Sequence, residues 1–180
     1  MVIGPNFVFL AIARTASQMM TYHFLPPYGG VSLGIDSYHR MDVPMEHVDK
    51  FTFSVVRNPY DRMLSLWYLI QMFDRSALLL DNILKDWTPA EFVMWCATQT
   101  RENWQSQTTL LLRARVDQVL RFENLEADLR SLPFVNDFKM PLVYNAMDRP
   151  PVESDLTPEF IAAVNVHSEM DFIRFGYEIR

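Results

Sequence analysis

A three-layer α/β domain with a mostly parallel central sheet is the architecture expected of this chain. Apolar runs that suit buried strands recur at 6–12, 51–56 and 115–122, and each leads into a segment with helical spacing. At 180 residues, 49% hydrophobic and 13% aromatic, the chain is of ordinary size for one domain and can bury a full core. It has no internal repeat, low-complexity tract or Gly/Ser linker to mark a second domain, so 1–180 is read as a single domain.

The first strand is expected over Asn6 to Ile12, a short apolar run suited to the centre of a parallel sheet. Ala13-Arg14-Thr15-Ala16-Ser17-Gln18 follows, then a helical stretch that must stop before Pro26 and Pro27. A turn of this kind aims the N–H groups of about Thr15 to Gln18 beyond the strand end, where Arg14 adds a full positive charge for an anion. The stretch lacks the G-x-x-x-x-G-K-[ST] pattern of an ATP-binding loop.

Pro26 to Gly34 reads as loop, and Asp36 to Asp49 carries His39 and His47 just ahead of the next strand. Phe51 to Val56 is β-branched and aromatic and runs straight into a helix with apolar residues at Met63, Leu64, Trp67 and Ile70. Asn58 can cap that helix, Pro59 suits its first position, and Asp61 brings negative charge to its first turn. Arg57 therefore stands at a strand's carboxyl end, with the Ser65 hydroxyl two turns up the following helix, a pair that suits a phosphate.

Asp74 to Asp86 is expected to be a connection, and Thr88-Pro89-Ala90-Glu91 a helix start in which Glu91 returns the cap bond and Trp87 staples onto Phe92. The third strand, Arg115 to Phe122, leads into a helix over Glu123 to Leu132 with Leu125, Leu129 and Leu132 on one side. Thr157 and Pro158 begin a last helix, expected to run to about Phe172. Ligands of such sheets bind beyond the carboxyl ends of the strands, where Arg14 and Arg57 both fall.

A net charge of -6 argues against a general nucleic-acid binder. Through Trp67 the charges balance, Arg14, Arg40, Lys50, Arg57 and Arg62 against Asp36, Asp42, Glu46, Asp49 and Asp61, so any anion site is made locally by a few placed cations. One cysteine, Cys96, excludes an intrachain disulfide, and no Cys/His cluster has zinc spacing, so no metal is expected. Phe7 to Ala13 is too short to span a bilayer and lacks the features of a secretory signal; no membrane association and a cytoplasmic location are expected.

Taken together and in order, these elements resemble the sulfotransferases that use 3′-phosphoadenosine 5′-phosphosulfate (PAPS), in particular the carbohydrate sulfotransferase branch. Ile12-Ala13-Arg14-Thr15-Ala16-Ser17 resembles the family's 5′-phosphosulfate loop, and Phe53 to Ser65, with Val-Arg-Asn-Pro-Tyr-Asp-Arg-Met-Leu-Ser, resembles its 3′-phosphate element. Arg101 to Gln107, Leu120 to Leu125, and Asp171-Phe172 with Phe175-Gly176-Tyr177 are similar to later landmarks. The chain departs from the pattern at Ala13-Arg14, where most members have Pro-Lys, and at Gln18, where a small hydroxyl residue is usual.

The resemblance implies a P-loop-NTPase-like fold and an enzyme that moves a sulfuryl group from PAPS to an acceptor hydroxyl, with a carbohydrate as the expected acceptor and 3′-phosphoadenosine 5′-phosphate (PAP) as product. It implies that Arg57 and Ser65 hold the non-reacting 3′-phosphate while Arg14, Thr15, Ala16, Ser17 and Gln18 bind the 5′ end. Arg14 would also stabilise charge on the leaving oxygen, since transfer of this kind depends on in-line positioning and electrostatics. His39, upstream of the 3′-phosphate element as in relatives that modify uronic acids, is the candidate general base. Arg62 and His167 are read as structural, and Gln105 and Gln107 as acceptor-side or solvated. The alternatives are a P-loop-type nucleotide kinase, disfavoured by the missing Lys-Ser/Thr pair, and a non-catalytic nucleotide-binding relative, suggested by Arg14 and Gln18.

Overall fold

The computed structural model describes residues 1–34, 39–72, 87–139 and 153–180. It is α/β, with a five-stranded mixed sheet in the order β3-β1-β2-β4-β5. The strands are β1 (Val2–Ile3), β2 (Phe7–Leu10), β3 (Val31–Ser32), β4 (Phe51–Val56) and β5 (Gln118–Arg121). The described helices are α1 (Ser17–Met19), α2 (Pro59–Met72), α3 (Pro89–Cys96), α4 (Gln107–Leu111), α5 (Leu125–Arg130), α6 (Pro158–His167) and α7 (Glu169–Phe175). The expected connection over 74–86 lies outside the described residues. Two compact units are distinguished, one of Met1–Arg57 with Thr109–Ala146, the other of Asn58–Thr108 with Met147–Arg180.

In the first unit β2 pairs in parallel with β4, Leu10 opposite Ser54, and β4 in parallel with β5, Val56 opposite Arg121. These are the three strands the apolar runs predict. On the other side β1 pairs antiparallel with both β2 and β3, so the sheet is mixed where a mostly parallel one was expected. The reason is local: two-residue strands show no periodicity, and Gly4-Pro5-Asn6 reverses the chain between β1 and β2. Gly4 donates its N–H to the Phe7 carbonyl at 2.9 Å, and a Cβ at Gly4 would lie 2.3 Å from the Phe7 ring, which only glycine avoids.

One core organises this unit. Phe7, Phe9, Phe53 and Val55 from the sheet pack with Met20, Phe24, Leu125, Leu129 and Leu132. Phe134 stacks on Phe7 at 4.1 Å between ring centroids and meets Phe53 at 5.7 Å. Each such side chain, fully buried, contributes about 1.5–3 kcal/mol. Leu125, Leu129 and Leu132 share the buried side expected of their spacing. The helical stretch after the 13–18 loop is not uniform: α1 widens into a π-helical turn, Met20–Phe24, closed by the Leu25 N–H on the Met20 carbonyl at 2.9 Å. It ends, as expected, before Pro26.

In the second unit the Asn58 side chain accepts the Tyr60 N–H at 3.0 Å, Pro59 opens α2 and Asp61 lies in its first turn, the start its sequence specifies. Thr88 and Glu91 form a capping box on α3, Glu91 Oε2 accepting the Thr88 N–H at 2.7 Å and Thr88 Oγ1 accepting the Glu91 N–H at 3.3 Å. Trp87 packs edge-on to Trp95 at 6.0 Å, and Phe92 meets Trp67 at 5.5 Å. The expected single helix from Thr157 to Phe172 is two, α6 and α7, interrupted at Ser168, whose φ of -116° and ψ of 21° leave the helical region. Among the described residues, no helix is long and apolar enough to cross a membrane.

Candidate functional site

The carboxyl end of β2 opens into the loop Ala11 to Ala16, and the elements around it in the first unit hold that loop in an unusual shape. Arg14 has φ 68° and Ala16 φ 64°, both left-handed, a conformation that costs an L-residue with a Cβ about 1–2 kcal/mol. Between them Thr15 is fully buried and its Oγ1 donates to the Ile12 carbonyl at 3.0 Å, closing the turn. Strain of this kind persists only where the surroundings over-determine it, and it gathers at binding sites.

Three side chains converge here. His39 Nδ1 lies 2.7 Å from the Ala11 carbonyl. A carbonyl can only accept, so Nδ1 carries the proton and Nε2 is the basic nitrogen of the neutral ring. Arg57, one residue beyond β4, donates from Nη1 to the Arg14 carbonyl at 3.4 Å. Its guanidinium lies over the Phe122 ring, 4.4 Å from the centroid. Burial, and then the positive charge of Arg57, hold the Arg14 guanidinium below its ordinary pKa. Two cations close enough to perturb each other are stabilised by an anion that faces both.

Of the residues singled out from sequence, Arg14, Thr15, Ala16, His39 and Arg57 are therefore brought together, with Ser17 buried and Gln18 half-buried at the start of α1. Ser65 belongs to the second unit, where it is buried on α2. Phe122 was not among the candidates. Its signal lay in pairing: with Val56 opposite Arg121 in parallel strands, the next residue of each chain, Arg57 and Phe122, stand side by side.

Other candidates resolve into structure within the second unit. Arg62 is fully buried and donates to the Asn103 carbonyl at 3.3 Å; burial lowers its pKa and the charge of Asp171 opposes that shift. Gln107 is not solvated: it is fully buried, and its backbone N–H and Nε2 both donate to Asp171 Oδ2, at 3.0 and 3.2 Å. The Thr108 N–H donates to Asp171 Oδ1 at 2.6 Å. His167 Nε2 donates to the Trp104 carbonyl at 2.9 Å and Nδ1 meets the Ser168 hydroxyl at 2.8 Å, a fully bonded neutral imidazole whose pKa burial lowers. Cys96 is buried and burial raises its thiol pKa well above the ordinary value, so it packs rather than reacts.

An open groove of about 740 Å³ between α3 and α6 is lined by Trp87, Met94, Trp95 and Val166, with Glu91 and Glu159 also present. Among the described residues no group of three or more His, Cys, Asp and Glu side chains is arranged for a metal ion. Comparison with protein-family models, curated proteins and solved structures finds no match to this chain.

Proposed function

We propose that the chain is a sulfotransferase that uses PAPS as donor and an acceptor hydroxyl, with a carbohydrate as the expected acceptor class, on a three-layer P-loop-NTPase-like fold. One observation carries the reading: the strained Arg14 to Ala16 turn lies beyond parallel strands, Arg57 donates to its Arg14 carbonyl, and His39 is bonded to the Ala11 carbonyl at the start of the same loop. A donor with phosphate and phosphosulfate groups at its two ends matches a pair of mutually repelling guanidiniums better than a single small anion does.

On this reading Arg57 faces the 3′-phosphate, for which the sequence resemblance adds the Ser65 hydroxyl, and Arg14 with the loop faces the phosphosulfate. As the acceptor oxygen bonds to sulfur and the bond from sulfur to the bridging oxygen breaks, the electron pair stays with PAP, whose charge Arg14 stabilises. His39 Nε2 takes the acceptor proton, and the Nδ1 bond to the Ala11 carbonyl fixes the tautomer and ring direction for that task.

Thermal denaturation with PAP tests the binding half. At one hundred times Kd the ligand should add about 2.7 kcal/mol, which raises the Tm of a chain this size by roughly 5–11 °C. No stabilisation, or an unchanged response in Arg57→Ala, would remove the proposal. A transfer assay with labelled donor and a panel of sugars tests the chemistry. His39→Ala should lose activity while still responding to PAP, and full activity in that variant would end the role given to His39.

A further inference from the structure

The Arg57 side chain makes two contacts that no ligand supplies: its face rests on Phe122 and its Nη1 holds the Arg14 carbonyl. Phe122 is half-buried against the core of the first unit and opens the short turn Phe122–Asn124 at the end of β5, so its ring is anchored by packing independent of Arg57. From this arrangement, and resting on the proposed function above, we infer that Phe122 is a positioning residue. It fixes the plane of the Arg57 guanidinium, and Arg57 in turn braces the left-handed turn at Arg14.

A guanidinium over an aromatic ring loses freedom out of the ring plane but keeps its in-plane N–H groups available. One of these is spent on the Arg14 carbonyl, whose direction is set by the left-handed backbone at that residue. The guanidinium is then held in one orientation, set by the ring below it and the carbonyl beside it. Seating of an anion at Arg57 and the shape of the loop at Arg14 become one event, so the non-reacting end of a donor would set the loop that faces its reacting end.

Hydrogen exchange over residues 11–17 of the ligand-free protein and PAP affinity by titration test this together. Loss of the ring in Phe122→Leu should speed loop exchange and weaken PAP binding about 2- to 30-fold, the range for a cation held over an aromatic face. Phe122→Tyr, which keeps the ring, should restore both. In an Arg57→Ala background Phe122→Leu should weaken binding no further, because the ring acts only through the arginine. Arg57→Lys keeps the charge without the planar fork and should speed exchange as Phe122→Leu does, which covers the case of a poorly folded Phe122 variant.

Exchange in Phe122→Leu or Arg57→Lys equal to wild type would overturn the brace whatever PAP does. Equal losses in the Leu and Tyr variants would also overturn it, by reducing Phe122 to core packing. If PAP fails to stabilise the wild type, the donor reading falls, and the ligand-free exchange still decides the brace.

Discussion

Replacing Ala16 with glycine should make this protein more stable, the opposite of what glycine does at most positions. Ala16 sits at φ 64° and ψ 18°, where its Cβ crowds the backbone at a cost of about 1–2 kcal/mol. Glycine removes that cost but gives back about 0.5–1 kcal/mol through the greater freedom of the unfolded chain. The net gain lies between about 0 and 1.5 kcal/mol, or up to roughly 6 °C in Tm for a chain of this length. Ala13→Gly is the control: it lies in the same loop and is buried, but its φ is not positive, so it should lose about 0.5–1 kcal/mol. Urea unfolding of the three proteins, with the dependence on denaturant held common, measures both signs. If the turn is strained for binding, Ala16→Gly should also weaken PAP about 2- to 5-fold, because a glycine samples the bound shape without being confined to it. Destabilisation of Ala16→Gly equal to that of Ala13→Gly would refute the strain argument.

Two further predictions concern the second unit. Asp171→Asn turns a carboxylate that accepts three N–H groups into an amide that must aim an NH₂ at one of them, and it removes the charge that offsets buried Arg62. The expected loss is about 3–5 kcal/mol, roughly 6–20 °C in Tm; a loss below about 1 kcal/mol would show that the carboxylate is not needed there. His167 is held neutral by burial, with its folded pKa below the ordinary 6.5. As pH falls below that value the unfolded chain takes up a proton that the folded chain refuses. Stability should then drop toward a slope of about 1.4 kcal/mol per pH unit, and His167→Gln should flatten this slope when unfolding is followed from pH 7 downward.

What the sequence disclosed about the fold depended on the range of the interaction involved. The junction at Asn58, the capping box at Thr88 and the leucine face of 125–132 are set by residues two to four apart, and the structure has them as read. Mixed pairing beyond β2 was not legible, because Val2–Ile3 and Val31–Ser32 become strands only by finding each other. Nor was the break at Ser168: the apolar spacing continues through it, and what lies beyond is tied to distant partners, Asp171 to Gln107 and Thr108. The candidate site divides in the same way. Arg14, Arg57 and His39 stood out by charge and order, and the contacts that join them depend on strand register. The left-handed backbone at Arg14 and Ala16 carried no composition signal, since neither residue is glycine or asparagine.

The bonds to Asp171 also impose an order on synthesis. Arg62 leaves the ribosome well before Asp171, and Gln107 and Thr108 emerge in between with backbone N–H groups that await the same carboxylate. Until residue 171 has emerged, closing this unit would bury a guanidinium without the charge that offsets it, together with unmatched donors. The second unit can therefore close without that cost only once residue 171 has emerged, so its closure is timed by one aspartate.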